Sequence, residues 1–369
     1  MTADPLVEDQ WEIMRFLLPA DLDEHARLHG AMRRKRGQIT SAEQLLRVLL
    51  MHIGGGLSLE QTVVRARQRG LADLNAMALH KRLCASGGWL AALTAHVLQS
   101  VQHHLGNFAP DLVPGCRRTR ILDATTISEP GSTGTDWRIH YSLRLPEMCC
   151  DYFELTDAKG AESVKRLPVE EGDLVLLDRG YNDRNAVAGL IKAKAWVVLR
   201  FNSGSFPLQD QRGGKLDLLA KLRRLRIGEA MECKAWFSDR SKQVYPLRVS
   251  ALKKTAEATM RAERKLVRKA RGQPEKIRSA TLEYARYVIV LTNLPADLID
   301  ARQSLEIYRA RWQVELGFKR LKTLLELGQL PKRKEKSSIA WMQGKILCAL
   351  IIELLLCQAR SLSPWGYPV

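Results

Sequence analysis

The chain lacks the cysteine pairs that bind zinc or build a disulfide framework. Its seven cysteines show no C-x-x-C spacing, their number is odd, and Cys149 and Cys150 are adjacent. This excludes a disulfide-stapled fold and a zinc finger, and points to a reducing compartment. No His or Cys cluster offers a soft metal site either. The most apolar run, Ile346 to Leu356, is too short to span a bilayer, with Lys345 beside it and Glu353 inside it; it reads as a buried helix. The opening MTADPLVEDQ is polar and acidic, unlike a signal peptide. No internal repeat or low-complexity tract is present, which sets aside a repeat architecture. Acid is scarce relative to base: 40 Asp and Glu face 58 Lys and Arg, a net charge of +18. That balance calls for a polyanionic partner, nucleic acid or an anionic membrane surface, and the clustering of the excess favours nucleic acid.

What is present is ample for a core. The 369 residues are 46% hydrophobic, enough for one large domain or two to three ordinary ones. Residues 1–115 read as all-helical. SAEQLLRVLLMHI has helical periodicity behind a capping box of Ser41 and Gln44. A tight turn at 70–75 separates two short helices, the second near Ala76–Cys84. Such a pair reads as a DNA-reading helix-turn-helix or as part of an ordinary bundle. The run Arg33, Arg34, Lys35, Arg36 is a phosphate contact or a solvated loop.

Character changes at Arg117. RTRILDATTI, RIHYSLRL and MCCDYFELTD alternate as strands of an antiparallel meander. GDLVLLD is a strand ending in an acid, NAVAGLIKAK a helix and AWVVLRF a further strand. This order is that of a ribonuclease H-like α/β core. From 202 to 286 the chain is basic and β-rich. AMECKAWF and QVYPLRVSAL read as strands of a small sheet. Lys253 to Arg278 carries ten basic and three acidic residues, mostly at helical spacing, Arg264 and Arg268 among them. That stretch is a rail for DNA phosphates or a solvated basic helix. Residues 287–369 resume the core with a strand, a helix and a final apolar helix over 339–358.

YRARWQVELGFKRLK, Tyr308 to Lys322, concentrates the chemistry. Tyr308, Arg311, Glu315 and Lys322 fall within about 60° of one face of a single helix. Ile307, Ala310, Val314, Leu321 and Leu325 form the opposite, core-facing stripe. An acid among bases suggests a metal ligand beside a phosphate clamp; ordinary Glu–Arg pairing on a solvated face is the plainer reading. Two more acids have matching places. Asp123 sits mid-strand among apolar residues, where a carboxylate is costly unless a cation satisfies it. Asp178 ends a strand before Arg179-Gly180-Tyr181, as a ligand or as the cap of the next turn. Asp151, Glu154 and Asp157 are rivals on varied faces near a strand end. In a ribonuclease H-like core the three chosen acids would converge around one or two Mg²⁺ or Mn²⁺ ions, for which hard oxygen ligands suit.

Tyr308-x2-Arg311-x3-Glu315-x6-Lys322, with Asp123 in D-A-T and Asp178 in D-R-G-Y, resembles the YREK signature of DDE transposases of bacterial insertion sequences, the IS-four family. The resemblance spans roughly 117 to 330, including a β-rich insertion between the second acid and the third. It implies a cytoplasmic, nucleoid-associated enzyme that binds terminal inverted repeats of double-stranded DNA as a homodimer. Cleavage through a hairpin and strand transfer to target DNA would follow; a nuclease or domesticated relative without strand transfer is the alternative. Asp123, Asp178 and Glu315 would hold two divalent ions. Tyr308, Arg311 and Lys322 would grip phosphates, with Lys319 assisting. Relatives stack a flipped base on a tryptophan just before the final strand. Tyr287 stands nearest that place, as a stacking residue or a packed strand aromatic, and Trp236 is more remote. Little chain follows the apolar helix, so dimer contacts are expected from elsewhere.

Overall fold

The computed structural model describes residues 11–32, 38–105, 112–270, 277–328, 330–331 and 335–361. Six helices come first: α1 (Trp11–Arg15), α2 (Leu22–Leu28), α3 (Ala42–Ile53), α4 (Leu59–Gln68), α5 (Ala76–Ala85) and α6 (Gly87–Leu105). Ser41 and Gln44 form the expected capping box, and Ser58 with Gln61 repeats it at α4. The turn between α4 and α5 opens with Gly70 at φ +63°, a left-handed backbone that glycine takes without strain. Asn75 then caps α5. The helix pair read from the sequence is therefore present.

A single eight-stranded sheet follows, in the order β3-β2-β1-β4-β5-β8-β7-β6. Strands β1 (Arg118–Ile127), β2 (Trp137–Leu145) and β3 (Cys149–Asp157) form the antiparallel meander. Strand β4 (Asp173–Leu177) returns parallel to β1. Helix α7 (Arg184–Lys192) crosses to β5 (Trp196–Arg200), parallel to β4. This is the ribonuclease H-like order. Beyond β5 come α8 (Leu218–Leu222), β6 (Ala230–Ser238), β7 (Val244–Lys253), α9 (Ala256–Ala270), α10 (Ser279–Tyr284) and β8 (Tyr287–Thr292). Strand β8 pairs antiparallel with both β5 and β7. The strands of the 202–286 stretch thus extend the main sheet instead of forming a small sheet of their own. Period-two patterning shows that a segment is a strand, not which edge it joins.

The sheet is covered on both faces, which accounts for the fully buried β4. One core contains Ile121, Leu174, Leu176 and Val198 with the N-terminal helices. The other contains Leu122, Val175, Leu177 and Leu199 with α7 and the 206–225 segment. Arg120, 1% exposed, lies within the sheet. Its Nε is 2.7 Å from Asp151 Oδ2 and its Nη1 3.5 Å from Asp173 Oδ2. Paired so, three buried charges join β1, β3 and β4.

The stretch read as one helix from Tyr308 to Lys322 is segmented. Helix α11 (Ala301–Arg309), capped by Asp300 and Gln303, gives way to a 3-10 turn over Ala310–Trp312. Helix α12 (Gln313–Lys319) follows, then a π-helical turn over Arg320–Leu324. Val314 and Leu321 are buried as expected. Tightening and then widening the helix moves side chains around its axis in a way that a fixed 100° period does not describe.

The last helix, α13 (Glu335–Ser361), is longer than its apolar run suggests. By length and composition its Glu335–Leu356 stretch could cross a bilayer, yet 56% of the most apolar window is buried inside the protein. It packs chiefly on α6, and on α5 and α3. Glu353 anchors it to the sheet by accepting from Cys150 N (2.9 Å) and Tyr141 Oη (3.2 Å). Where α13 crosses α3, a Cβ at Gly344 would lie 2.5 Å from Ile53 Cδ1. Gly344→Val should therefore lower the unfolding free energy by about 2 kcal/mol, read as an earlier urea midpoint; an unshifted midpoint would show that α3 yields at this crossing.

Candidate active site

Strand register does the first part of the assembly. Leu122 pairs with Leu177 across the parallel β1–β4 ladder. One residue further on, Asp123 lies within β1 and Asp178 just past the end of β4. Asp123 is 17% exposed, and its Oδ1 accepts from Ala124 N at 2.8 Å. Asp178 caps the 3-10 turn Arg179–Tyr181, its Oδ1 accepting from Gly180 N at 2.6 Å.

Helix α12 supplies the third acid. Tyr141, opposite Asp123 on β2, stacks edge-on against Phe318 with ring centroids 5.7 Å apart. A Cβ at Gly317 would lie 3.7 Å from the same tyrosine ring. The helix thereby lies over β1 and β2. Arg311 then bridges two of the acids: Nη1 donates to Asp123 Oδ2 (3.1 Å) and Nη2 to Glu315 Oε1 (2.9 Å). Glu315 is otherwise open to solvent, 64% exposed.

The electrostatics are those of crowded acids. Burial is the main cause that pushes the Asp123 carboxyl up to about 6; Asp178 and Glu162 add to it, and the Ala124 amide and Arg311 oppose it. Burial works against the charge of Arg311, but Tyr308, Glu315, Asp123 and Asp178 outweigh it and raise its pKa. The rival acids are engaged elsewhere. Asp151 is in the Arg120 network, Glu154 accepts from Arg166 and Tyr152, and Asp157 caps the 159–160 turn.

The remaining candidates divide. Tyr308 is half-buried beside Arg311, and burial raises its phenol. Lys322 reaches back over β1, donating from Nζ to Thr126 O at 3.2 Å, and burial lowers its pKa. Lys319 is exposed at the end of α12. Arg264 and Arg268 are exposed one turn apart on α9. Arg33 and Arg34 lie outside the described residues. Tyr287 is 2% exposed, packed in the second core as the first residue of β8, so its ring faces no free surface in this conformation. Trp236 lines a shallow cavity with Pro246 and Arg248.

Two cations escaped the sequence reading. Arg200, the last residue of β5, sits over the Tyr308 ring at 5.9 Å from its centroid. Burial, with Arg179 and Arg311 adding, lowers it to about 10. Lys254, just past β7, donates to Ala285 O at 2.6 Å. Burial, then Arg200 and Arg179, lowers it to about 8. A charge ending an apolar strand, as Asp178 ends β4, was the available signal for Arg200.

Residues 155–351 match the family described as the transposase DDE domain. InsL of insertion sequence element IS186A from Escherichia coli K12 is 31% identical over 94% of this chain and 93% of its own length. The transposase of IS421, also from Escherichia coli, shows the same identity and coverage. The chain belongs to the DDE transposases of bacterial insertion sequences, the IS-four family. Among solved structures, a cryo-EM structure of a piggyBac transposase synaptic complex with hairpin DNA covers 97% of this chain and 83% of its own, at 10% identity and a TM-score of 0.47.

DDE transposases act on DNA with divalent metal ions. Among the described residues, no three acids, histidines or cysteines stand close enough to hold a metal as they are, since Arg311 occupies the ground between Asp123 and Glu315. The donor set nonetheless fits a hard divalent cation. It consists of carboxylates, one of them mostly buried beside a second, with a guanidinium standing in as counter-charge. Crowding these charges costs stability. Asp123 has a folded-state pKa of about 6, above the unfolded value near 4. The folded chain therefore binds the extra proton between those limits, and stability is lost as pH rises through them. Asp123→Asn should raise the unfolding free energy by roughly 2 kcal/mol at neutral pH. Urea titrations should show the gain shrinking towards pH ~4; a pH-independent gain would assign it to packing.

Proposed function

We propose that this transposase cuts and rejoins DNA at one composite site in which Asp123, Asp178 and Glu315 hold the divalent ions, Mg²⁺ or Mn²⁺, as a pair. The observation that supports it most is the junction of Asp123 and Glu315, 192 positions apart in the chain, at the single guanidinium of Arg311. Bound there, such ions activate an attacking water or hydroxyl and stabilise the leaving oxygen. The chain's own residues position the strand. Arg311, released from its two carboxylates, turns its fork to a phosphate, a geometry that guanidinium matches in bidentate fashion. Lys322 acts as a point charge next to β1, and Lys319 extends the row. Tyr308, with Arg200 above its ring, closes the far side.

The reaction follows the family pattern. Water first attacks a phosphorus at the end of the element, and the P–O3′ bond breaks. The freed 3′-hydroxyl then attacks a phosphorus of the opposite strand, expels the flanking DNA's 3′-oxygen as a hydroxyl and closes a hairpin. Water attacks the hairpin phosphorus and frees the same 3′-hydroxyl, which attacks a target-DNA phosphorus and displaces a target 3′-hydroxyl, in a cut-and-paste route. Terminal inverted repeats are bound by a dimer, with the α4–α5 pair and the α9 arginines Arg264 and Arg268 as backbone or base contacts.

Linear DNA carrying the terminal repeats that flank the reading frame tests this. Wild type plus Mg²⁺ should nick the ends and give hairpins, and should join a supplied 3′-hydroxyl end to target DNA. Cleavage without joining would leave a nuclease. Asp123→Ala and Glu315→Gln should lose cleavage by a factor of at least ~10³ while retaining end binding in gel-shift assays. Cutting by either variant would remove that residue from the site. Lys322→Ala should weaken binding and reduce the slope of log affinity against log salt by about one. An unchanged slope places Lys322 off the DNA.

A further inference from the structure

A further carboxylate lies on the Asp123–Asp178 side of the acids that the signature names. Glu162 stands in the loop between β3 and β4, and its Oε2 would be 2.7 Å from a Cβ placed on Gly180. Asp178 Oδ1 would be 3.0 Å from the same point. The two carboxylates therefore both approach one glycine. Gly180 is the residue that leaves this room; a methyl group there would strike Glu162.

Among the described residues, Glu162 makes one long ion pair: Arg138 Nε on β2 lies 3.9 Å from its Oε1, while Arg138 Nη1 donates to Gly160 O. Among the described residues, Glu162 accepts no hydrogen bond. A second, independent observation comes from Tyr181. It is 2% exposed, and among the described residues its hydroxyl has no hydrogen-bond partner. That hydroxyl sits in the field of Asp123, Glu162 and Asp178, which together with burial raise its pKa. A buried donor without a partner costs about 1–3 kcal/mol. Beside carboxylates that stay out of hydrogen-bond reach, it is built to donate to an oxygen carried in by a ligand held between them.

We propose that Glu162 is a further carboxylate of the cation site, acting on the Asp178 side, with the Tyr181 hydroxyl positioning what binds there. The proposal rests on the reading of Asp123, Asp178 and Glu315 given above, and adds a residue outside that triad.

Mn²⁺ titration of the DNA-free protein, followed by electron paramagnetic resonance, separates the two. Asp178→Asn should abolish high-affinity Mn²⁺ binding. Glu162→Gln should raise the Mn²⁺ Kd roughly tenfold with an unchanged melting temperature. Gly180→Ala, which pushes Glu162 aside without touching its charge, should move Kd in the same direction. If Asp178→Asn loses binding while Glu162→Gln stays within about twofold of wild type, Glu162 is not a ligand-side residue and this proposal falls alone. If wild type binds no Mn²⁺, or Asp178→Asn binds it as wild type does, the triad reading falls and takes this proposal with it.

Discussion

The guanidinium of Arg311 is the point at which the sheet and helix α12 meet. A carboxylate in the middle of β1 is expensive beside a second carboxylate at the end of β4. With no opposing charge, these acids and Glu315 would repel one another and drive α12 off the sheet. Arg311 donates to Asp123 and Glu315 at 3.1 and 2.9 Å, and so holds the acids at close range. The packing below it is shaped to the same end. Tyr141 meets Phe318 from β2, and Glu353 fixes Tyr141 from the opposite side through its phenol. A chain of contacts thus runs from α13, through the sheet, to the helix that carries Glu315.

Much of this was legible in the sequence because it depends on local spacing. The strand meander, the β4 strand ending in Asp178, the capped α3 and the separation of α4 from α5 all follow from short-range patterns that tertiary structure left intact. The three acids and the basic row could be named for the same reason, since residue types and intervals survive even where the helix does not run straight. Segmentation into α, 3-10, α and π turns was not legible. It is a local change of helix type, which a fixed 3.6-residue period does not record.

What the sequence hid was long-range. Arg200 and Lys254 come from strands on either side of β8, and only the extension of one sheet through β8 brings them to the Tyr308 side of the site. Their segments read as an ordinary strand and a basic run. Tyr287 shows the converse. Its place before the last strand is right for stacking, but the alternation that identifies β8 also turns its ring into the second core. Trp236 and Tyr287 occupy β6 and β8, with β7 between them.

The two halves of the site carry opposite and uncompensated demands. On one side burial and like charge hold the Asp123 carboxyl up at about 6, which a cation relieves. On the other, burial with crowded cations holds Arg200 down at about 10 and Lys254 at about 8, which an anion relieves. Arg311 belongs to both halves, and in the free protein it satisfies the acids. A ligand that brought only positive charge would leave the cations crowded, and a lone anion would meet the carboxylates. On the reading proposed above, a phosphodiester strand bound with divalent ions would answer both demands, and Arg311, which donates to Asp123 and Glu315, would turn from carboxylate to phosphate.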